Sequence, residues 1–213
     1  SGVPSQQTLR NLLEYFQNGR LDDAEKLARL IVQKYPNHQF AWKVLGSVLV
    51  QLGRTVEAVL VKERAVSLAP NDAEAHSNLG NALHVLGRLD GAEARCRQAI
   101  ALRTDFAEAH SNLGNTLKER GKLGQAEACY KQAILLKPAF SEAYYNLGNT
   151  LQERGKLDNS ETCYNQAIFL KPDYVKAHYN LGTTLKERKR IEEAEANLQK
   201  WFDRVSNFEV GKK

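Results

Sequence analysis

A period of 34 residues runs through this 213-residue chain and limits its fold more than any single motif does. The stretch from Ala109 to Pro138 recurs one period later as Ala143 to Pro172, and one period earlier as Ala75 to Thr104. One glycine series, Gly46, Gly80, Gly114, Gly148 and Gly182, is preceded each time by leucine. A second series, Gly19, Gly53, Gly87, Gly121 and Gly155, lies between two apolar-periodic segments. A residue able to take positive φ there ends one helix and lets the next begin. Alanine follows at Ala24, Ala58, Ala92, Ala126 and Ala194, with Ser160 once in its place, and Pro36, Pro70, Pro138 and Pro172 close units. Each unit is too small to bury its own apolar face, so neighbours must stack and three or more are needed. The period thus overrides the prior of one or two globular domains that length alone suggests.

These in-phase positions resemble the tetratricopeptide repeat, a helix-turn-helix of the same length. The resemblance covers residues 5–205 as six units, about 5–38, 39–72, 73–106, 107–140, 141–174 and 175–205. It implies an all-α fold, a right-handed α-solenoid. The first unit departs most, with Thr8, Asn11 and Leu12 where the aromatic, leucine and glycine belong. Residues 1–4 read as a scar or linker and 206–213 as a C-terminal tail. The Ser1-Gly2 start and the lack of any methionine suggest a protease scar on a piece of a longer chain, from which a signal, anchor or domain could have been removed. No apolar run approaches a membrane span, and no charged-then-apolar leader is present, so a cytoplasmic location is expected.

Taken in order, Ser5 is a suitable N-cap for a helix ending at Asn18-Gly19, and Leu21 to Lys34 reads as its partner. Leu9, Leu12, Leu13 and Phe16 give the first helix its apolar stripe. The second unit holds Trp42 in the aromatic register, but Val59 and Val61 stand where later units have Glu93, Glu127 and Glu161, or Arg95, Cys129 and Cys163. Both valines are expected on an outer wall, as a small contact patch or as isolated surface apolars. In the last unit Trp201 replaces the smaller Ile31, Ala65, Ala99, Ala133 and Ala167. Leu198, Trp201, Phe202 and Val205 are then an exposed apolar end face, open to an end-to-end homodimer or to a missing C-terminal domain.

At 100° per residue, His110, Leu113, Gly114 and Leu117 share the core side of one first helix, and Glu108, Asn112, Asn115 and Glu119 the opposite side. The resemblance implies that this second side faces a concave groove. Asparagine recurs there at Asn78, Asn112, Asn146 and Asn180, and three residues on at Asn81, Asn115 and Asn149, with Ser47 and Thr183 at the ends. An amide has donors and an acceptor on a short stem and can bond the main chain of an extended peptide. In this the chain is similar to the N-terminal superhelix of O-linked N-acetylglucosamine transferases, whose asparagine ladder holds target proteins by their backbone. The alternative is that these amides satisfy neighbouring backbone groups or water. Specificity then comes from flanking positions: Ser77 and Ser111 give way to Tyr145 and Tyr179, and the far end of the helix bears His84, Lys118, Gln152 and Lys186.

A basic ladder follows the turn: Arg20, Arg54, Arg88, Lys122, Lys156 and Arg190, joined by Arg120, Arg154 and Arg188. It is either a solvated rim that complements helix C-termini or, with a net charge of +5, an edge for acidic partners. No interleaved aromatics or nucleic-acid motif accompany it. The chaperone-tail carboxylate clamp of some tetratricopeptide domains is incomplete: Lys43 is in register, but Ser47 replaces its asparagine.

No phosphate-cradling loop, His-Glu-x-x-His or nucleophile elbow occurs. His76, His110 and His178 share the register of Trp42 and Tyr144 and are read as structural. Cys96, Cys129 and Cys163 have no metal spacing and read as reduced structural thiols. Neither a metal nor a cofactor is expected. Two functions remain: a non-enzymatic scaffold that binds a protein or peptide segment, or the substrate-recruiting region of a larger enzyme such as a glycosyltransferase.

Overall fold

The computed structural model describes residues 2–187 and 191–210, and of residues 191, 192, 194 and 206–210 the backbone alone. Arg188 and Arg190 of the basic ladder, and the side chain of Ala194, lie outside the described residues. The described chain is helical throughout, as six pairs: α1 (Gln6–Gln17) with α2 (Leu21–Lys34), α3 (Gln39–Gln51) with α4 (Thr55–Leu68), α5 (Ala73–Val85) with α6 (Leu89–Leu102), α7 (Ala107–Glu119) with α8 (Leu123–Leu136), α9 (Ser141–Glu153) with α10 (Leu157–Leu170), and α11 (Val175–Glu187) with α12 (Ile191–Val210). The last helix continues past residue 205, where the repeat array is expected to end.

Local chemistry explains these boundaries. At the turn after α7, Gly121 has φ 72° and its N–H bonds Lys118 O at 2.9 Å, while Lys122 N–H bonds Leu117 O at 2.9 Å. That pair of bonds is a Schellman cap, and the glycine is needed for its φ, since a Cβ there would meet nothing within 4 Å. Ser5 Oγ accepts from Thr8 N–H at 3.1 Å, and Asp72 caps α5 through Glu74 and Ala75 N–H.

In four of the six pairs the aromatic register holds the entry to the first helix. Trp42 Nε1 donates to Pro36 O at 2.8 Å, and the Nε2 atoms of His76, His110 and His178 bond Pro70, Thr104 and Pro172 carbonyls at 2.9, 3.1 and 3.0 Å. A carbonyl only accepts, so each histidine is the Nε2–H tautomer in that bond. Tryptophan and histidine interchange because both bring a ring N–H to the same place.

In the four pairs from α3–α4 to α9–α10 the first-helix glycine is a slot. A Cβ on Gly46, Gly80, Gly114 or Gly148 would stand 2.6–2.7 Å from Lys62, Cys96, Tyr130 or Tyr164, the residue sixteen positions on. Two helices can approach this closely only where one has no side chain.

The chain divides into two compact units, Ser1–Leu113 and Gly114–Lys213. In the first, α3 packs against α1, α2, α4 and α5, around Leu12, Leu45, Val48 and Leu49. The expectation for Val59 and Val61 is corrected here: both are buried, Val59 against Val66, Leu79 and Leu83, and Val61 in the cluster of Leu45. Their helix, α4, is covered by α3 on one side and α5 on the other, so its exposed apolars are instead Val56 and Leu60. In the second unit α9, α10, α11 and α12 pack in succession, with Tyr164, Leu181 and Leu185 buried. At the end of that unit Phe202 is exposed, while Leu198, Trp201 and Val205 are half-buried.

The slot is testable. Gly148→Ala places a methyl 2.6 Å from the Tyr164 ring, and overpacking of this kind should cost about 1–3 kcal/mol, beyond any helix-propensity gain. Gly182→Ala meets only the flexible Leu198 at 3.3 Å and should change the urea midpoint far less.

Candidate functional site: the first-helix face

In the second unit the asparagines bond one another. Asn146 Nδ2 donates to Asn115 Oδ1 at 3.1 Å, and Asn180 Nδ2 to Asn149 Oδ1 at 2.7 Å and to Tyr145 Oη at 3.3 Å. The same two amide oxygens also face a phenol: Tyr130 Oη–H donates to Asn115 Oδ1 at 2.7 Å, and Tyr164 Oη–H shares its proton between Asn149 Oδ1 at 2.8 Å and Gln152 Oε1 at 2.9 Å. Burial pushes both phenols well above the ordinary tyrosine range, so they remain protonated donors.

An amide oxygen has two lone pairs; on Asn115 both are filled, and on Asn149 one is filled by Asn180 while Gln152 competes for the phenol proton at the other. Among the described residues, the NH2 groups of Asn115 and Asn149 and the carbonyls of Asn146 and Asn180 keep unused bonding capacity. All four residues are half-buried, each fixed by at least one internal bond. Beside them Tyr145 packs at 5.0 Å on Tyr174, and Tyr179 stands 66% exposed. Lys118 pairs with Glu153 at 2.8 Å, and Lys186 is exposed.

The first unit treats the same registers differently. Asn112 Nδ2 donates to Ser77 Oγ at 3.0 Å, and Ser77 and Ser111 are both buried, so neither can read a ligand. Asn78 and Asn81 are half-buried and make no side-chain hydrogen bond among the described residues. Here the face is charged. Gln39 Nε2 donates to Asp72 Oδ2 at 2.5 Å, Lys43 Nζ lies 3.2 Å from the same oxygen, and Lys43 also pairs with Glu74. Burial pushes the Asp72 carboxyl up, but Gln39, the Ala75 N–H and Lys43 together hold it below its ordinary value.

Arg20, Arg54, Arg154 and Lys156 of the basic ladder are paired internally. Arg54 pairs with Glu25 at 2.7 Å and with Glu57, and Arg29 joins the same two carboxylates. Glu127 of α8 takes Lys131 at 2.7 Å, Lys156 at 3.2 Å and Arg154. These cations therefore join turns to a glutamate of the preceding second helix. Among the described residues no group of three His, Cys, Asp or Glu is placed to hold a metal, and no helix is long and apolar enough to cross a membrane. Cys96, Cys129 and Cys163 form no disulfide, and burial pushes the Cys163 thiol up to about 11.

A family model described as TPR repeat matches residues 46–87, 80–119, 114–154 and 149–189, which together span most of the chain. The chain belongs to the TPR repeat family. No curated protein matches it. Among solved structures, the type IV pilus biogenesis factor PilW is 23% identical, with a TM-score of 0.81 over 94% of this chain and 96% of that one. TTC0263, a thermophilic TPR protein of Thermus thermophilus, is 22% identical, with a TM-score of 0.73 over 84% and 98%. YrrB, described as a TPR protein with an unusual peptide-binding site, is 20% identical, with a TM-score of 0.60 over 83% and 91%. At these identities the likeness shows the fold, a stacked helix-pair solenoid.

Reading this TPR sequence by faces finds the asparagines but not their partners. Tyr130 and Tyr164 lie on second helices, fifteen residues after the amides they serve, and only the slot glycine before them hints at the reach. Two measurements probe these bonds. Tyr164→Phe should lose about 1 kcal/mol in urea unfolding, and an Asn149→Ala/Tyr164→Phe double-mutant cycle should show coupling. Separately, Lys131 and then Lys156 hold Glu127 below its ordinary 4.5. A depressed carboxylate stabilises the fold above its unfolded pKa, and that contribution disappears as pH falls through the folded value. Glu127→Gln should accordingly flatten the loss of stability on acidification below about pH 5.

Proposed function

We propose that this TPR chain is a non-enzymatic interaction scaffold that holds an extended segment of a partner protein along its first-helix face. The observation that carries this reading is the half-satisfied ladder of the second unit. Asn115 and Asn149 engage their oxygens internally and keep N–H donors, while Asn146 and Asn180 keep carbonyl acceptors. An extended main chain has the complementary alternation of C=O and N–H, and its side chains need not be read for such bonds to form. Because each amide is already fixed by an internal bond, little side-chain entropy is lost on binding. Tyr145 and Tyr179 would add side-chain preference, and Lys118 and Lys186 a preference for acidic residues; Asn78, Asn81 and Asn112 continue the register in the first unit.

A second reading, the recruiting region of a larger enzyme such as a glycosyltransferase, uses the same face. It is favoured by the Ala-x-x-Asn-Leu-Gly setting of Asn78, Asn112, Asn146 and Asn180, and it places the chemistry outside this chain.

Peptides selected on the wild-type chain from a random phage-displayed library provide the test. Asn115→Ala/Asn149→Ala should weaken the selected peptides roughly tenfold at unchanged circular dichroism, and Tyr179→Ala should change which sequences are selected. N-methylation of the peptide backbone should cost more than alanine substitution of its side chains. Affinities indifferent to both the double variant and N-methylation would rule the reading out.

A further inference from the structure

One histidine is half-satisfied where its counterpart is complete. His76 and His178 share a register, and each bonds a proline carbonyl through Nε2. At His178 the other ring nitrogen is met by the residue nineteen positions on: Asn197 Oδ1 lies 3.2 Å from Nδ1, and Asn197 Nδ2 donates to the His178 carbonyl at 2.8 Å. The residue at that place after His76 is Arg95, which is exposed and makes no hydrogen bond or ion pair among the described residues. His76 itself is only 4% exposed, and its buried Nδ1 has no partner among those residues. A buried polar atom in this condition is destabilising until a partner bonds it.

His76 and Arg95 both line a cleft of about 870 Å3 between α4 and α6, with α5 at its floor. Such a volume lies within the roughly 300–1,000 Å3 of ordinary ligand clefts. Val66 and Leu79 are buried beneath it, and Gly91 leaves room on the α6 wall where the next unit has Gln125. Asn197 reaches His178 Nδ1 from the position that Arg95 holds here, so His76 Nδ1 lies on the Arg95 side of the cleft.

The chemistry that fits can be read from Asn197, whose carboxamide meets a backbone carbonyl and a ring nitrogen at once. A carboxylate would set an acceptor against the carbonyl oxygen, an ammonium would bury a charge, and a methyl would leave Nδ1 unbonded. An amide suits the nitrogen in either state, with its NH2 for a lone pair and its oxygen for an N–H. We propose that the cleft over His76 binds a primary carboxamide, the side chain of a glutamine or asparagine of a partner segment, in the place that Asn197 fills from within the chain at His178. The site lies between second helices and does not draw on the first-helix asparagines. Arg95 forms its wall and takes no part in the bond, so Arg95→Asn would fill the place internally and exclude an outside amide.

The test is 15N NMR of the histidine rings in the full chain, above the usual histidine titration range, where a ring lone pair moves upfield on accepting a hydrogen bond. His76→Trp assigns the resonance and keeps the hold on Pro70, as Trp42 holds Pro36. Acetylated, methylamidated glutamine, glutamate and alanine serve as probes, since all three share the same backbone amides. Glutamine should shift His76 Nδ1 with a dissociation constant of about 1 mM, and glutamate and alanine should leave it in place. Arg95→Ala should keep the glutamine response, Arg95→Asn should abolish it, and Asn115→Ala/Asn149→Ala should not alter it. An Nδ1 resonance that glutamine moves in neither wild type nor Arg95→Ala overturns the proposal. So does an equal response to alanine or glutamate, or one that is the same in Arg95→Asn as in Arg95→Ala.

Discussion

Every helix pair in this protein with a slot glycine depends on one close approach. A first-helix glycine leaves a gap, and a side chain sixteen residues on crosses it. Without that gap the second helix would be held off by a Cβ, and its crossing residue could not reach the far side of its neighbour. The gap recurs unchanged, but what fills it does not. Tyrosine at Tyr130 and Tyr164 carries a phenol to an asparagine oxygen, cysteine at Cys96 ends in the core, leucine at Leu198 adds only apolar contact, and lysine at Lys62 brings a charge.

That variation sets the character of the surface above. Where tyrosine crosses, the asparagines are tied into a ladder and half their hydrogen-bonding capacity is withdrawn. The remaining half is held in fixed orientation, which suits recognition of a main chain better than free amides would. Where lysine crosses, no amide ladder forms among the described residues, and Lys43, Asp72 and Glu74 gather instead. Charge elsewhere has a structural use. Arg54, Arg154 and Lys156 are joined to glutamates on preceding second helices, so a net charge of +5 overstates what the rim can offer an acidic partner.

The sequence by itself determined the helix pairs, their turns and the placement of the asparagines, because these follow from local rules: a glycine with positive φ, a capping serine or aspartate, an apolar stripe of helical period. It also put His76, His110 and His178 in a structural register, though not the carbonyl each one holds. Tertiary structure alone decided the rest. Val59 and Val61 are buried because α4 is covered on two sides, which no single-helix projection contains. The pairing of Asn146 with Asn115, and of Asn115 with Tyr130, joins residues on three helices, and the burial of Lys62 depends on Gly46 of another helix. A repeat period states which residues are equivalent. Which of them touch depends on the distance and rotation between packed helices, and that distance is set by contacts that exist only once the chain has folded.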